Sequence, residues 1–148
     1  MIYRKSELED CENVYQLICE LENESLDFEM FSKIYKEQQN SFNYYCLLCE
    51  LNDQVIGLLN MRFEGQLHHA EYIAEIMEFV ILPDYRGEGI GKEMFAKACE
   101  IAKINGCTRL ELSSNQRRKN AHRFYLRKGL ENTSYKFSQS LEYIDLTK

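Results

Sequence analysis

The sequence has no apolar run approaching the roughly 18 residues of a membrane span. Its first twenty residues carry acids where a secretory leader would carry an apolar core. Both absences point to the cytoplasm and away from a membrane partner. It has no excess of base either. Lys and Arg number 18 against 24 Asp and Glu, a net charge of −6, which argues against a nucleic-acid partner, because phosphate binding is driven mainly by a basic surface. No second C-x-x-C accompanies Cys46 and Cys49, and that pair sits in "YYCLLCEL", a strand pattern in which positions three apart face opposite ways. A zinc site is therefore not expected. The six cysteines (11, 19, 46, 49, 99 and 107) follow the local apolar pattern of a chain that is neither short nor secretory, so they read as reduced core thiols. With one proline, no repeat, no low-complexity stretch and no Pro/Gly-rich linker, the 148 residues read as one domain, 1–148, whose functional groups share one cleft.

What is present is the balance of a soluble globular protein, 45% hydrophobic and 28% charged. The charge is unevenly placed. Residues 7 to 29 hold nine acids and no Lys or Arg, whereas residues 113 to 130 hold six bases and no acid, which suggests that an anion is held near the second segment. "IYR" reads as a short strand, and "SELEDCENVYQLICELENE" as a helix opened by Ser6 and Glu9 in capping-box spacing. "DFEMFSKIYKEQQ" is a second helix; "YYCLLCEL" and "QVIGLLNMRF" are strands joined by an Asn52-Asp53 turn. After a polar loop with two histidines, "EYIAEIMEFVIL" is a long strand, and a helix runs from about Gly89 to Ile104, closed by Asn105-Gly106. "TRLELS" is again a strand, "KNAHRFYLRKG" a helix, and "LENTSYKFSQSLEYIDL" a terminal hairpin. The order describes an α/β (α+β layered) domain, a mixed and mostly antiparallel sheet flanked by helices.

The stretch "FVILPDYRGEGIGKEMFA" then asks for an explanation. A helix N-terminus with exposed N–H groups attracts anions, and glycines let the anion approach the backbone. A Walker A loop fails here, since Gly91-Lys92 is followed by Glu93 and Arg86 stands five before Gly91. A Rossmann fingerprint would need its third glycine at Lys92, although Glu111 lies twenty residues beyond Gly91 and keeps that reading open. Arg86-Gly87-Glu88-Gly89-Ile90-Gly91 instead fits Arg/Gln-x-x-Gly-x-Gly/Ala, and so resembles the pyrophosphate-binding signature of the GNAT superfamily of acetyl-CoA-dependent N-acetyltransferases. Within it, "VYQLICELENESLDF", "LHHA", "EIMEFVILPDYRGEGIG", "ELSSN" and "AHRFYLRKGL" together resemble the aminoalkylphosphonate N-acetyltransferases.

That resemblance implies the GNAT fold and acetyl-CoA as cosubstrate. It implies that the backbone N–H groups of Arg86, Gly87, Glu88, Gly89, Ile90, Gly91 and Lys92 cradle the pyrophosphate. The strand before the turn would splay from its neighbour, Phe79, Val80 and Ile81 would pair with the pantetheine arm, and Pro83, lacking an N–H, would end that pairing. Asn115 and Asn120 would contact the arm; Lys119 and Arg127 fit either its phosphates or a solvated basic helix face. A protonated alkylamine, with a pKa of about 10.4, must lose a proton before it attacks. Glu71, Glu75 and Glu78 are the carboxylates on hand; alternation puts Glu71 and Glu75 on one face and Glu78 on the other unless a bulge intervenes. The family pattern falls on Glu75 as the base, directly or through water, with Glu78 in reserve and in the acceptor site. Tyr125 matches the family's acid for the leaving thiolate, and a backbone N–H such as that of Val80 would meet the oxyanion. A ping-pong route through a cysteine is disfavoured, since none sits in an activating motif.

For a phosphonate acceptor the donors at hand are Arg62, His68 and His69. Adjacent histidines in an extended segment point apart, so a two-His metal site is not favoured, although one His with Glu71 leaves a divalent metal open. Acetylation of a peptide amine, or acyl-CoA binding without turnover, are the competing readings. The terminal hairpin suits either a monomer or a homodimer.

Overall fold

In the computed structural model, which describes residues 1–142 and 147, the strand-patterned runs form one sheet in the order β1-β2-β3-β4-β5. They are β1 Ile2–Lys5, β2 Tyr44–Leu51, β3 Gln54–Gln66, β4 Glu71–Ile81 and β5 Arg109–Leu112. Neighbours pair antiparallel except β4 with β5, which are parallel. The helices are α1 Cys11–Glu22, α2 Phe28–Gln39, α3 Ile90–Ile104 and α4 Lys119–Arg127. The chain falls into two compact units: Met1–Leu112, with the whole sheet and α1 to α3, and a second from Ser113 that carries α4.

The β2–β3 hairpin turns on Asn52 and Asp53, both left-handed at φ 51 and 63, a conformation that short polar side chains tolerate. One sheet face buries Cys46, Leu48, Leu58 and Val80 against Val14, Leu17 and Ile18 of α1 and Tyr35 of α2. Each such aliphatic side chain contributes about 1.5–3 kcal/mol through burial. The other face meets α3. A Cβ on Gly57 would lie 3.1 Å from the Met94 sulfur, so glycine there lets the helix come close to the strand. Asn105 and Gly106 end α3 as expected, with Gly106 at φ 83 and Cys107 N–H returning to Ala102 O at 3.0 Å.

Two local expectations are corrected. The capping box forms at Glu7 and Asp10, not at Ser6 and Glu9, with Glu7 N–H donating to Asp10 Oδ2 at 2.7 Å. Ser6, just past β1, does not open a helix because it is still tied to β2: its N–H donates to Cys46 O at 2.8 Å, and its hydroxyl accepts from Gln39 Nε2 instead of from a helix N–H. A 3₁₀ turn over Leu8–Asp10 therefore precedes α1. The terminal hairpin does not form over the described part of that segment. Residues 130–142 contain no strand, and residues 143–146 lie outside the described residues. Period-2 alternation marks faces but supplies no partner, and the second unit has no other described strand to pair with.

Candidate active site

The site begins with an extra residue. Asn60 stands opposite Glu78 and Met61 opposite Ile76, so Met77 is a bulge in β4. The bulge cancels one step of alternation. Glu78 therefore joins Glu75 on the face that carries Asn60 and Arg62, which are two apart on β3, and the two carboxylates share one face as the open alternative allowed. Arg62 Nη2 donates to Glu75 Oε2 at 2.7 Å and stands 3.4 Å from Glu64. Asn60 Nδ2 donates to Glu78 Oε2 and to Gln38 Oε1, each at 3.1 Å. Burial pushes the Glu78 carboxyl above its usual range, Asn60 pulls it back partway, and Glu22 adds to the rise.

On this face α1 and α2 leave a cavity of about 220 Å³ against the sheet. Its walls include Val14, Ile18, Phe31 and Tyr35, and Asn60 and Glu78 form its polar end. Lys5 borders it, yet the Lys5 ammonium stands 5.2 Å from the Tyr45 ring centroid, on the opposite face from Tyr44. Glu78 is thus the one acid among the lining residues, with no cation directed at it from them. Arg62, one two-residue step beyond Asn60, does not line the cavity. Its Nε is buried and finds no hydrogen-bond acceptor among the described residues.

His68 and His69 lie farther along, in the exposed turn that joins β3 to β4, and the structure does not bring them to the cavity. Nor do they point apart. Ala70 N–H closes the turn on Leu67 O at 3.2 Å, and the two rings approach to 4.2 Å between centroids, because a tight turn lacks strand alternation. His69 Nδ1 lies 2.8 Å from Gln66 Oε1. Among the described residues no group of three or more His, Cys, Asp or Glu side chains could hold a metal ion. No such group of three forms around His68, His69 and Glu71.

The glycine turn has the form an anion needs. After Pro83–Tyr85 the chain passes Gly87 at φ 81 and Gly89 at φ 85, values that favour glycine, and nothing stands within 4 Å of where their Cβ atoms would be. Gly89 caps α3 without a side-chain acceptor, so the first-turn N–H groups of Ile90, Gly91 and Lys92 face outward at the positive end of the helix. Glu88 lies exposed between the two glycines. β5 pairs with β4 only from Ile73 to Ile76, whereas β3 stays paired as far as Ile81, so the two parallel strands part as the splay requires. Arg86 Nε donates to Ile81 O at 2.8 Å and ties the turn to the strand end. Val80 is turned away from the role expected of it. Leu82 N–H donates to Ile56 O, and with Ile81 opposite Gly57 the alternation directs the Val80 N–H toward β3. The backbone groups of Phe79 and Ile81 face the other side.

Within the second unit, burial raises the Tyr125 hydroxyl, and Arg118 offsets part of that rise. The Tyr125 ring lies 5.7 Å from that of Phe124. Asn115 accepts from Arg117 N–H at 2.9 Å through its side chain, and its carbonyl lies 2.9 Å from His122 Nε2. Asn120 accepts from Arg123 Nη1 at 2.8 Å. Both asparagines therefore shape their own segment. Sequence reasoning passed over Asn60 and Gln38. The available signal was one amide inside the apolar run "VIGLLNMRF", where an unpaired polar group would be costly.

No helix among the described residues is long and apolar enough to cross a membrane. The acetyltransferase (GNAT) family model matches residues 10–130. The chain is 38% identical over 138 residues, 93% of its length and 90% of the relative's, to the aminoalkylphosphonate N-acetyltransferase of Salmonella typhimurium. A GNAT family acetyltransferase of Staphylococcus aureus has a TM-score of 0.78 at 24% identity, covering 95% of this chain and 98% of that one. An aminoglycoside N-acetyltransferase in complex with CoA reaches 0.85 at 12% identity, over 96% and 95%; at such identities the likeness is one of fold. The family match and the Salmonella relative join the glycine turn and the parting strands in one conclusion: the chain belongs to the GNAT family and is an acetyl-CoA-dependent N-acetyltransferase.

Proposed function

We propose that the protein acetylates the primary amine of a small aminoalkylphosphonate, by direct attack of the amine on the thioester of acetyl-CoA in one GNAT domain, 1–148. The observation that carries this reading is the 38% identity to the Salmonella aminoalkylphosphonate enzyme along 93% of the chain. The cavity agrees in size. Its volume of about 220 Å³ is below the roughly 300–1,000 Å³ of sites for larger ligands, which favours a short amine over a peptide.

Glu78 is the better-supported base, ahead of Glu75. It lines the cavity, and burial moves its carboxyl toward the pH at which a base is most effective. Glu75 is committed to Arg62 at 2.7 Å and serves by holding that cation. Arg62, just beyond the Asn60 end of the cavity, takes the anionic end of the acceptor with its guanidinium, whose side chain is 33% exposed. Arg62 and Glu78 are diagonal neighbours across the β3–β4 ladder, a spacing of about 7–8 Å that two or three carbons between amine and phosphonate, with a hydrogen bond at each end, would bridge. The loop N–H groups of Gly87 to Lys92 hold the pyrophosphate, the Arg86 N–H being bonded to Pro83 O at 3.3 Å, and the outward N–H groups of Phe79 and Ile81 meet the arm, the Ile81 carbonyl being taken by Arg86. Tyr125 gives its proton to the departing thiolate; its raised hydroxyl keeps that proton at neutral pH.

The test is thiol release from acetyl-CoA with aminomethyl-, aminoethyl- and aminopropylphosphonate, polyamines, amino acids and a lysine peptide. Turnover is expected with the phosphonates, best with the two- and three-carbon members. Activity confined to polyamines or to the peptide would overturn the substrate class.

A further inference from the structure

We infer that Asn60 is a positioning residue for the reaction: from across the β3–β4 ladder it fixes the Glu78 carboxylate by one oxygen, and Gln38 of α2 orients the Asn60 amide to do so. The inference rests on the reading of Glu78 as the base.

Asn60 is 8% exposed, while Leu58, Leu59 and Met61 around it are at 0%. An amide in such a row costs free energy unless its hydrogen bonds are made. Its Nδ2 donates both to Glu78 Oε2 and to Gln38 Oε1, at 3.1 Å each. Two acceptors flank the amide, so its NH₂ side must face them. The ionised Glu78 carboxylate can only accept, which turns the NH₂ toward it, and Gln38 Oε1 holds that orientation by accepting the second hydrogen. Among the described residues only one oxygen of Glu78 is engaged, which leaves the other for the acceptor's N–H.

Asn60 is the one hydrogen-bond donor on Glu78 among the described residues. The other groups bearing on Glu78 do not replace it. Glu22, at the end of α1, repels the charged form, and β2 brings the Cys46 thiol. α2 brings neutral Tyr35, Gln38 and Gln39; β2 also brings Tyr44. On β4 itself Glu75 is matched by Arg62, and the Lys5 ammonium stands over Tyr45. A bond donated to the carboxylate favours its charged form. Removing it leaves Glu78 protonated to a higher pH and free to turn.

The test is kcat/KM against pH for Asn60→Leu and Gln38→Leu, beside acetyl-CoA affinity and thermal melts. In Asn60→Leu the acid limb is expected to move up by about one unit, the size of one hydrogen bond to a charged group. Activity should partly return at high pH, and acetyl-CoA affinity should stay as in the wild type. Gln38→Leu should move the limb the same way by less. An Asn60→Leu limb that stays in place, whether the rate is lost at every pH or not at all, overturns the inference. If Asn60→Leu does not fold, Gln38→Leu decides: an upward shift supports the role, and an unmoved limb rejects it. Glu78→Gln separates the two readings. If that variant loses the limb while Asn60→Leu keeps it, the inference about Asn60 fails alone. If Glu78→Gln keeps the limb, the base assignment falls and the inference with it.

Discussion

Arg62 donates to Glu75 at 2.7 Å on the same sheet face where Asn60 donates to Glu78 at 3.1 Å, so two neighbouring carboxylates have unlike partners. The cation leaves Glu75 an ion-pair member, whereas the amide leaves Glu78 a half-satisfied carboxylate at a cavity. Glu78→Gln should therefore lower kcat/KM by roughly a hundredfold to ten-thousandfold, the range of a general base. Glu75→Gln should act mainly by loosening Arg62, raising the KM for the acceptor more than it lowers kcat. Steady-state kinetics on both variants checks the pair. Equal losses in kcat would show that the partners do not divide the roles.

Glu78 also leaves a mark on stability. Its carboxyl is raised in the folded chain, so between the unfolded value of about 4.3 and the native value the folded state binds more protons. Stability then falls as pH rises through that window. Glu78→Gln removes the titration, and its melting temperature should gain on the wild type as pH goes from 4 to 8. Melts at several pH values read the slope, and parallel curves for the two proteins would refute it.

The order of strands and helices was legible because apolar periodicity and turn residues are local signals, as at Asn52-Asp53 and Asn105-Gly106. The glycine turn was legible for the same reason, since a positive φ at Gly87 and Gly89 is written into the residue type. The face of Glu78 was not. It depends on whether Met77 pairs or bulges, which is a property of register between strands and leaves no trace in β4 alone. Asn60 was hidden similarly, because its partners lie 18 and 22 residues away. The histidine turn misled because its residues read as extended, whereas the Leu67–Ala70 bond folds them.

The entry to α1 makes a separate prediction. Arg4 donates to both oxygens of Asp10 at 2.8 Å, and Glu7 N–H adds a bond at 2.7 Å. The Arg4 bond comes first among the causes that hold the Asp10 carboxyl below its usual range. Asp10→Asn should cost about 2 kcal/mol near neutral pH, on the scale of charged hydrogen bonds. The depressed group stabilises the fold above its unfolded value and loses that contribution as pH falls through the native one. The deficit of the variant should therefore vanish in acid. Urea unfolding at neutral and low pH measures it, and a deficit of the same size at both would contradict the ion pair.

Cys46 is the one cysteine that lines the cavity, and burial pushes its thiol to about 12. Too little thiolate forms there for a covalent acetyl-enzyme. Incubation with acetyl-CoA alone should leave the intact mass of the protein unchanged, and initial-rate patterns should intersect. Cys46→Ala should keep most of its kcat, paying only for the small void. A 42 Da adduct, the mass of one acetyl group replacing a hydrogen, appearing in the wild type and lost in Cys46→Ala, would establish the ping-pong route instead.

Gly89 and Gly106 offer a matched comparison at opposite ends of α3. Their φ values are 85 and 83, and neither would meet a neighbour within 4 Å if it gained a Cβ. Gly→Ala at either position should thus cost a similar amount through backbone strain alone, about 1 kcal/mol. Only Gly89 sits at the helix start, where the first-turn N–H groups would meet the pyrophosphate; Gly106 closes the far end. Gly89→Ala should weaken acetyl-CoA binding tenfold or more, because roughly 1.4 kcal/mol of misaligned contacts suffices for that factor. Gly106→Ala should leave the affinity within twofold of the wild type while melting at about the same lowered temperature as Gly89→Ala. Calorimetric titration with CoA, beside thermal melts of both variants, separates binding from folding. If the two lose affinity equally, the glycine turn acts through the stability of α3 and not through contact with the pyrophosphate.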